Sequence, residues 1–257
     1  MTNNQGFFYI INITNNNFNA DSEMKIYVVG SSKNKFLPLD NIREKFLIDQ
    51  PHEGDNIDFL NPWYCELTGL YYLWKHVDDE IVGLEHYRNY FWSNKNNKPL
   101  NEEEISENLK TGDIIVSGYS YPVPWGPKYL GQELNICTKN KVEPFLKTLE
   151  NKDNGLATYF RKFLAGQKIY ACNCFIGPKT ILNEWAEFFF DLIADFEKTN
   201  PIGPNTNTAR REGYFSEFLF GAWLEYKKYK PVIGNLRKFS KDFRFIYQNM
   251  LGPDKRL

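Results

Sequence analysis

The chain has 257 residues, 42% of them hydrophobic and 17% aromatic, enough to bury one sizeable core in a single domain. Charged residues make up 25% and the formal net charge is −1, so no overall field argues for nucleic acid or for a strongly anionic partner surface. Four cysteines without a C-x-x-C pair suggest neither a disulfide framework nor a zinc site, and they fit a reducing compartment.

No run reaches the roughly 18 apolar residues that span a bilayer, and the N-terminus lacks the basic and apolar regions of a signal peptide. The expected location is therefore the cytoplasm, including the inner face of the plasma membrane as a peripheral protein.

In chain order, residues 1–23 read as an Asn-rich extension, and the domain proper is expected over 24–257. Lys25 to Gly30 is the first strand, and 31–60 is irregular, with scattered Gly, Pro, Asp and Asn. Asn61-Pro62 reads as a helix start, an N-cap side chain followed by proline in the first turn. Leu67, Leu70, Tyr71 and Trp74 then repeat at helical spacing. Glu80 to Leu84 is short, apolar and partly β-branched, a buried strand whose polar exit is Glu85-His86-Tyr87-Arg88. Residues 93–112 read as an exposed stretch. Asp113 to Gly118 is another strand, followed by an aromatic, proline-rich loop carrying Tyr119, Tyr121 and Trp125. Helical patterns occupy about 139–150 and 154–165. Lys168 to Gly177 is strand-like, which would put Cys172 and Cys174 on one side of a sheet. Helices over 179–197 and 210–228 complete the pattern. Alternating strands and helices predict a mostly parallel, Rossmann-like α/β sheet flanked by helices, with active groups at the strand C-terminal ends.

Charged groups at Glu85-His86-Tyr87-Arg88 would stand at the mouth of such a sheet, and a solvated strand end is the alternative reading. An arginine there can grip a diphosphate by paired hydrogen bonds, and a histidine can bond phosphate or a metal. Asp55, Asn56 and Lys33 are candidates for the donor side of a transfer reaction. Glu217, inside the last long helix, is the candidate carboxylate for deprotonating an acceptor. Each of these alone is weak against a surface or structural role.

Taken together, Gly54-Asp-Asn-Ile57, Asn61-Pro-x-Tyr64-Cys-Glu-Leu-Thr68, Tyr72-Leu-Trp74-Lys75 and Ile81-Val-Gly-Leu84-x-His86-Tyr-Arg88-x-Tyr90-Phe91 carry a more specific signal. In order and spacing they resemble the polysaccharide-biosynthesis family catalogued as domain of unknown function 4422. Asn173-x-Phe175-Ile176 and Arg210-x-x-Gly213-Tyr-Phe-Ser-Glu217-x-Leu219 extend the resemblance to about residues 25–226. It implies a glycosyltransferase with a GT-A-like sheet, acting in capsule, exopolysaccharide or lipopolysaccharide synthesis. The donor would be a nucleotide-diphosphate hexose, UDP-linked, with galactose or galactofuranose as candidate sugars. The acceptor would be a glycan or lipid-linked glycan. A non-catalytic carbohydrate-binding or assembly subunit is the alternative.

On that resemblance Glu217 and His86 would be catalytic, Lys33, Asp55, Asn56, Glu85 and Arg88 would bind the donor, and Tyr119, Tyr121, Trp125 and Arg210 the acceptor. The chain departs from the family pattern at Ser31-Ser32-Lys33, where Thr-His-Lys is usual, and at Arg88-Asn89, where Arg-Arg is usual. Glu85 stands where cysteine is common, and Phe218 replaces an arginine. No Asp-x-Asp pair marks a metal site. Neutralisation of the diphosphate by His86, Arg88 and Lys33 is the expectation, and manganese or magnesium on Glu85 and His86 is its rival.

Overall fold

The computed structural model describes residues 23–120, 129–206, 208–239 and 245–247. Residues 1–22 of the N-terminal extension, Tyr121 and Trp125 lie outside them.

The elements in chain order are β1 (Met24–Gly30), β2 (Arg43–Leu47), a 3-10 turn (Asp58–Leu60), α1 (Asn61–Tyr64), α2 (Leu67–His76), β3 (Ile81–His86), β4 (Asn89–Ser93), β5 (Lys98–Pro99), α3 (Glu102–Leu109), β6 (Ile114–Val116), β7 (Tyr119–Ser120), α4 (Leu130–Cys137), α5 (Val142–Lys152), α6 (Asn154–Leu164), β8 (Lys168–Ile169), β9 (Phe175–Pro178), α7 (Lys179–Glu197), α8 (Arg211–Tyr226), β10 (Pro231–Ile233), β11 (Leu236–Phe239) and β12 (Phe245–Tyr247).

The central sheet runs β2-β1-β3-β9-β6-β10. Strands β1, β2 and β3 are mutually parallel, as are β6 and β10, and β9 alone runs against both of its neighbours. This is the mostly parallel α/β sheet expected from the sequence. Beyond β3 the chain turns back into β4, which pairs with β11, and β11 with β12. Strands β7 and β8 form a separate small ladder, Tyr119 opposite Ile169.

Alternation along the strands divides the core. Tyr27, Val29, Val82 and Leu84 join the large cluster under α2, α5, α6, α7 and α8. Ile26, Ile81, Ile115 and Ile176 face the opposite layer, which Ile105 and Leu109 of α3 cover. Gly69 lets α2 lie close on the sheet, since a Cβ there would stand 2.9 Å from Val29 Cγ2 and 3.2 Å from Phe46 Cδ1. Helix α8 is buried almost all round, as an apolar helix at the centre of a core must be.

Several boundaries differ from the sequence reading, each for a local reason. The single helix predicted from Asn61 is two, because Cys65 takes φ 53 between them; Leu60 holds the N-cap position, with no side-chain cap bond. Strand β2 lies within the stretch read as irregular. Helix α3 lies within the stretch read as exposed, and its start is a capping box: Asn101 Oδ1 accepts from the Glu104 amide at 2.9 Å, and Glu104 Oε2 accepts from the Asn101 amide at 3.2 Å. Helix α4 was not anticipated. The strand read over 168–177 is broken by a turn in which Cys172 and Asn173 have φ 69 and 48, so Cys172 and Cys174 do not share a strand face.

Candidate active site

Parallel strands β1 and β3 end side by side, with the Tyr87 amide donating to the Val29 carbonyl at 2.8 Å. Ligands bind at this edge in open α/β sheets. His86 and Arg88 leave from it half-buried. Burial pushes the His86 imidazole below its ordinary value; Glu66 pulls it up, and the charges of Arg88, Arg210 and Lys238 push it further down. The balance favours the neutral ring. Its Nδ1 stands 3.4 Å from the Asn89 side-chain Nδ2, and its Nε2 is buried without a partner among the described residues.

Helix α8 brings the second half of the site. A carboxylate inside so buried a helix needs a partner. Glu212 has one, Arg211, whose Nε donates to its Oε1 at 2.7 Å. Glu217 has no cation bonded to it among the described residues; its Oε1 accepts only the Cys172 amide, at 2.9 Å. Burial raises its pKa to about 7, and the charge of Glu66 adds to this. The Cys172 hydrogen bond, Arg210 and Lys238 oppose it. Arg210, at the left-handed N-cap of α8 with φ 64, sets its guanidinium 5.5 Å from the Tyr214 ring centre.

The site therefore gathers Glu66, His86, Arg88, Arg210, Glu217 and Lys238. Four of these were singled out from the sequence for roles there. Glu66 stood in the sequence only as part of the Asn61–Thr68 motif, and Tyr64 of the same motif is buried, donating to Glu197 at 2.9 Å. Lys238 was missed. Its strand β11 pairs it with Asn89, next to the β3 exit, but it follows the last element read from the sequence, and a lone lysine carries no signal.

Other expected residues are placed elsewhere. Glu85 is a correction: adjacent strand residues face opposite sides, and Glu85, fully buried, accepts from Arg43 Nε at 2.8 Å, from Arg43 Nη2 at 3.3 Å and from the Phe91 amide at 2.9 Å. It does not face a donor, and Glu85 with His86 does not fit a metal ion. No group of three or more His, Cys, Asp or Glu is spaced to hold one among the described residues. Asp55 accepts from the Tyr71 hydroxyl at 3.0 Å, and its carbonyl accepts from His76 at 2.7 Å. Both partners lie beyond the first turn of α2. Asn56 closes the same loop, donating to the His52 and Gly54 carbonyls at 2.7 and 3.0 Å. Lys33 is exposed just past β1, where its charge acts on Asp49. Ser32 is tied to that aspartate through both its amide and its hydroxyl, each at 2.7 Å. Phe218 is buried in the large core cluster. Tyr119 lies in β7.

The family described as Domain of unknown function (DUF4422) has a model that matches residues 9–228. The chain belongs to this family. Among solved structures, the apo form of the bifunctional glycosyltransferase WbbM is similar, with a TM-score of 0.71 at 21% identity over 90% of this chain. The chain spans about half of that structure, 47%, and the likeness is one of fold. Comparison with curated proteins gives no match. The DUF4422 match begins inside the Asn-rich leader and ends before β10, so Lys238 lies past the matched region.

No helix among the described residues is long and apolar enough to cross a membrane.

Proposed function

We propose that this DUF4422 protein is a glycosyltransferase that moves a hexose from a nucleotide-diphosphate sugar to a hydroxyl of a growing glycan. The observation that carries this is Glu217, a carboxylate brought to about 7 by burial beside a cluster of cations at the C-terminal edge of a parallel sheet. A general base works best with a pKa near the operating pH, and cations there offset the charge that develops on a leaving diphosphate.

In this reading Arg88, Arg210 and Lys238 bind the diphosphate, and the unpartnered Nε2 of neutral His86 bonds a donor oxygen. Glu217 takes the proton of the acceptor hydroxyl. The new bond joins that oxygen to the anomeric carbon, while the bond from the anomeric carbon to the phosphate oxygen breaks and its electron pair leaves with the nucleoside diphosphate. Arg210, read from the sequence as an acceptor contact, is assigned here to the diphosphate because its charge acts on His86 as well as on Glu217. The chemistry needs no carboxylate pair on β3. A UDP donor, a galactose or galactofuranose unit, and a capsular, exopolysaccharide or lipopolysaccharide acceptor at the inner membrane face complete the proposal. They are supported by the motif pattern that the chain shares with its family.

Purified protein offered a panel of nucleotide sugars, with and without manganese, tests the reading. Binding and slow hydrolysis of one nucleotide sugar without added metal is the expected result. No affinity for any of them would leave a glycan-binding role in its place.

A further inference from the structure

Two carboxylates from distant parts of the chain are tied to one turn. Cys172 and Asn173, both left-handed, sit between β8 and β9 in a conformation that few non-glycine residues adopt unless the surroundings impose it. The Cys172 amide donates to Glu217 Oε1 at 2.9 Å. The next side chain, Asn173 Nδ2, donates to Glu66 Oε1 at 2.7 Å and to the Gly213 carbonyl at 3.2 Å, while Asn173 Oδ1 accepts from the Ser216 hydroxyl at 2.9 Å. Asn173 and Ser216 are buried. The amide is thus fixed at both ends, and with it the offset between Glu66 and Glu217.

Each carboxylate gives one oxygen to the turn. The other oxygen of each has no hydrogen-bond partner among the described residues, and neither is a buried orphan. The negative charge of Glu66 disfavours ionisation of Glu217. The groups whose charge acts on Glu217 include Glu66 at the α1–α2 junction, Arg210 at the start of α8 and Lys238 on β11; Cys137 of α4, Cys174 just before β9 and Tyr214 of α8 feel Glu217 in return. Among these, Glu66 is the group whose negative charge opposes the cations.

We propose that Glu66 is a positioning residue for Glu217: held by Asn173 on the turn that also binds Glu217, its carboxylate sets a negative charge against Arg210 and Lys238 where Glu217 accepts the acceptor's proton. The catalytic half of this inference rests on the glycosyl-transfer reading; the pairing itself is a property of the free protein. Loss of the Glu66 charge weakens the base, so the rate falls although the donor still binds.

The test is carboxyl-carbon NMR titration of the full chain labelled at glutamate, with Glu217→Gln identifying the signal. In Glu66→Gln the Glu217 midpoint is expected to drop by about one pH unit, a tenfold loss of proton affinity. Asn173→Ser should move it the same way, and Glu66→Asp should restore part of the shift. The acid limb of the turnover profile should move with it. Should Glu66→Gln not fold, Asn173→Ser carries the comparison without altering either carboxylate. An unmoved Glu217 midpoint in the folded variants overturns the proposal. A moved midpoint in a chain that processes no nucleotide sugar would sink the transfer reading and leave the pairing standing.

Discussion

Arg43 and Glu85 form a two-pronged ion pair that reaches across β1. Arg43 lies opposite Ile26 on one flank of that strand and Glu85 opposite Val28 on the other, and both side chains are almost wholly inaccessible, at 1% and 0%. Arg43 also donates to Asp40 at 2.7 Å and to the Leu100 carbonyl at 2.9 Å. The pair binds three strands and the start of α3 into one unit directly behind His86.

Removing one partner would leave the other charged in the core. Glu85→Ala is therefore expected to destabilise the fold by about 3–5 kcal/mol, read as a lower denaturant midpoint. Replacing both partners, Arg43→Met with Glu85→Leu, should recover much of the loss. A single variant with unchanged stability but weakened donor binding would return Glu85 to the site.

Glu217→Gln keeps an acceptor for the Cys172 amide and removes the base. Transfer should fall by about 10²–10⁴-fold, the usual contribution of general base catalysis, with nucleotide-sugar affinity within a few-fold of the parent by calorimetry. Undiminished turnover would exclude Glu217 as the base.

Arg88→Ala and Arg210→Ala act on the other half of the site. Loss of a charge-assisted hydrogen bond costs about 1.5–3 kcal/mol, so each should weaken donor affinity by roughly tenfold or more. Lys33→Ala, on the loop at Asp49, should change it little. The reverse order in a binding assay would put the diphosphate at the β1 exit instead.

The pH dependence follows from Glu217 at about 7. The base works when deprotonated, so turnover should rise through pH 7 and level off above it. For stability the sign is opposite: the folded-state value lies above that of the unfolded chain, so the folded protein binds more protons between them. That stability is present below the unfolded value and is lost as pH rises through about 7. Glu217→Gln should accordingly raise the melting temperature at pH 8 by about 2–4 °C, what ~1 kcal/mol is worth in a domain of this size, and do so less at pH 5. Glu212, also raised to about 7 by burial, supports the same trend.

The sequence made the scaffold legible wherever pattern and burial agree. Helix α7 was read over 179–197, the bounds it has, because its apolar residues keep one helical stripe and its neighbours are a proline and a polar loop. Strands β1 and β3 were found for the same reason. The candidate site was legible only in part. Glu217 and the His86–Arg88 exit came from their position and from the family pattern, but Glu66 and Asn173 act through contacts between elements that are remote in the chain. Asparagine tolerates the left-handed region; Cys172 beside it gives no such sign, so apolar neighbours made the turn look like strand. Glu85 was misplaced because clustered charges suggested one face, whereas strand alternation separates them.

The Cys172–Asn173 turn also bears on when the protein becomes competent. Glu66 and Asn173 are 107 residues apart in the chain, and Cys172 and Glu217 are 45 apart, so contacts at the site belong to the long-range class that forms late in folding. The first half of the chain, emerging from the ribosome with Glu66, His86 and Arg88 already made, holds one of the three site cations and neither Arg210, Lys238 nor Glu217. On the proposed reading, the site is completed only when α8 has docked, and a truncated or half-folded chain would lack the base that the transfer needs.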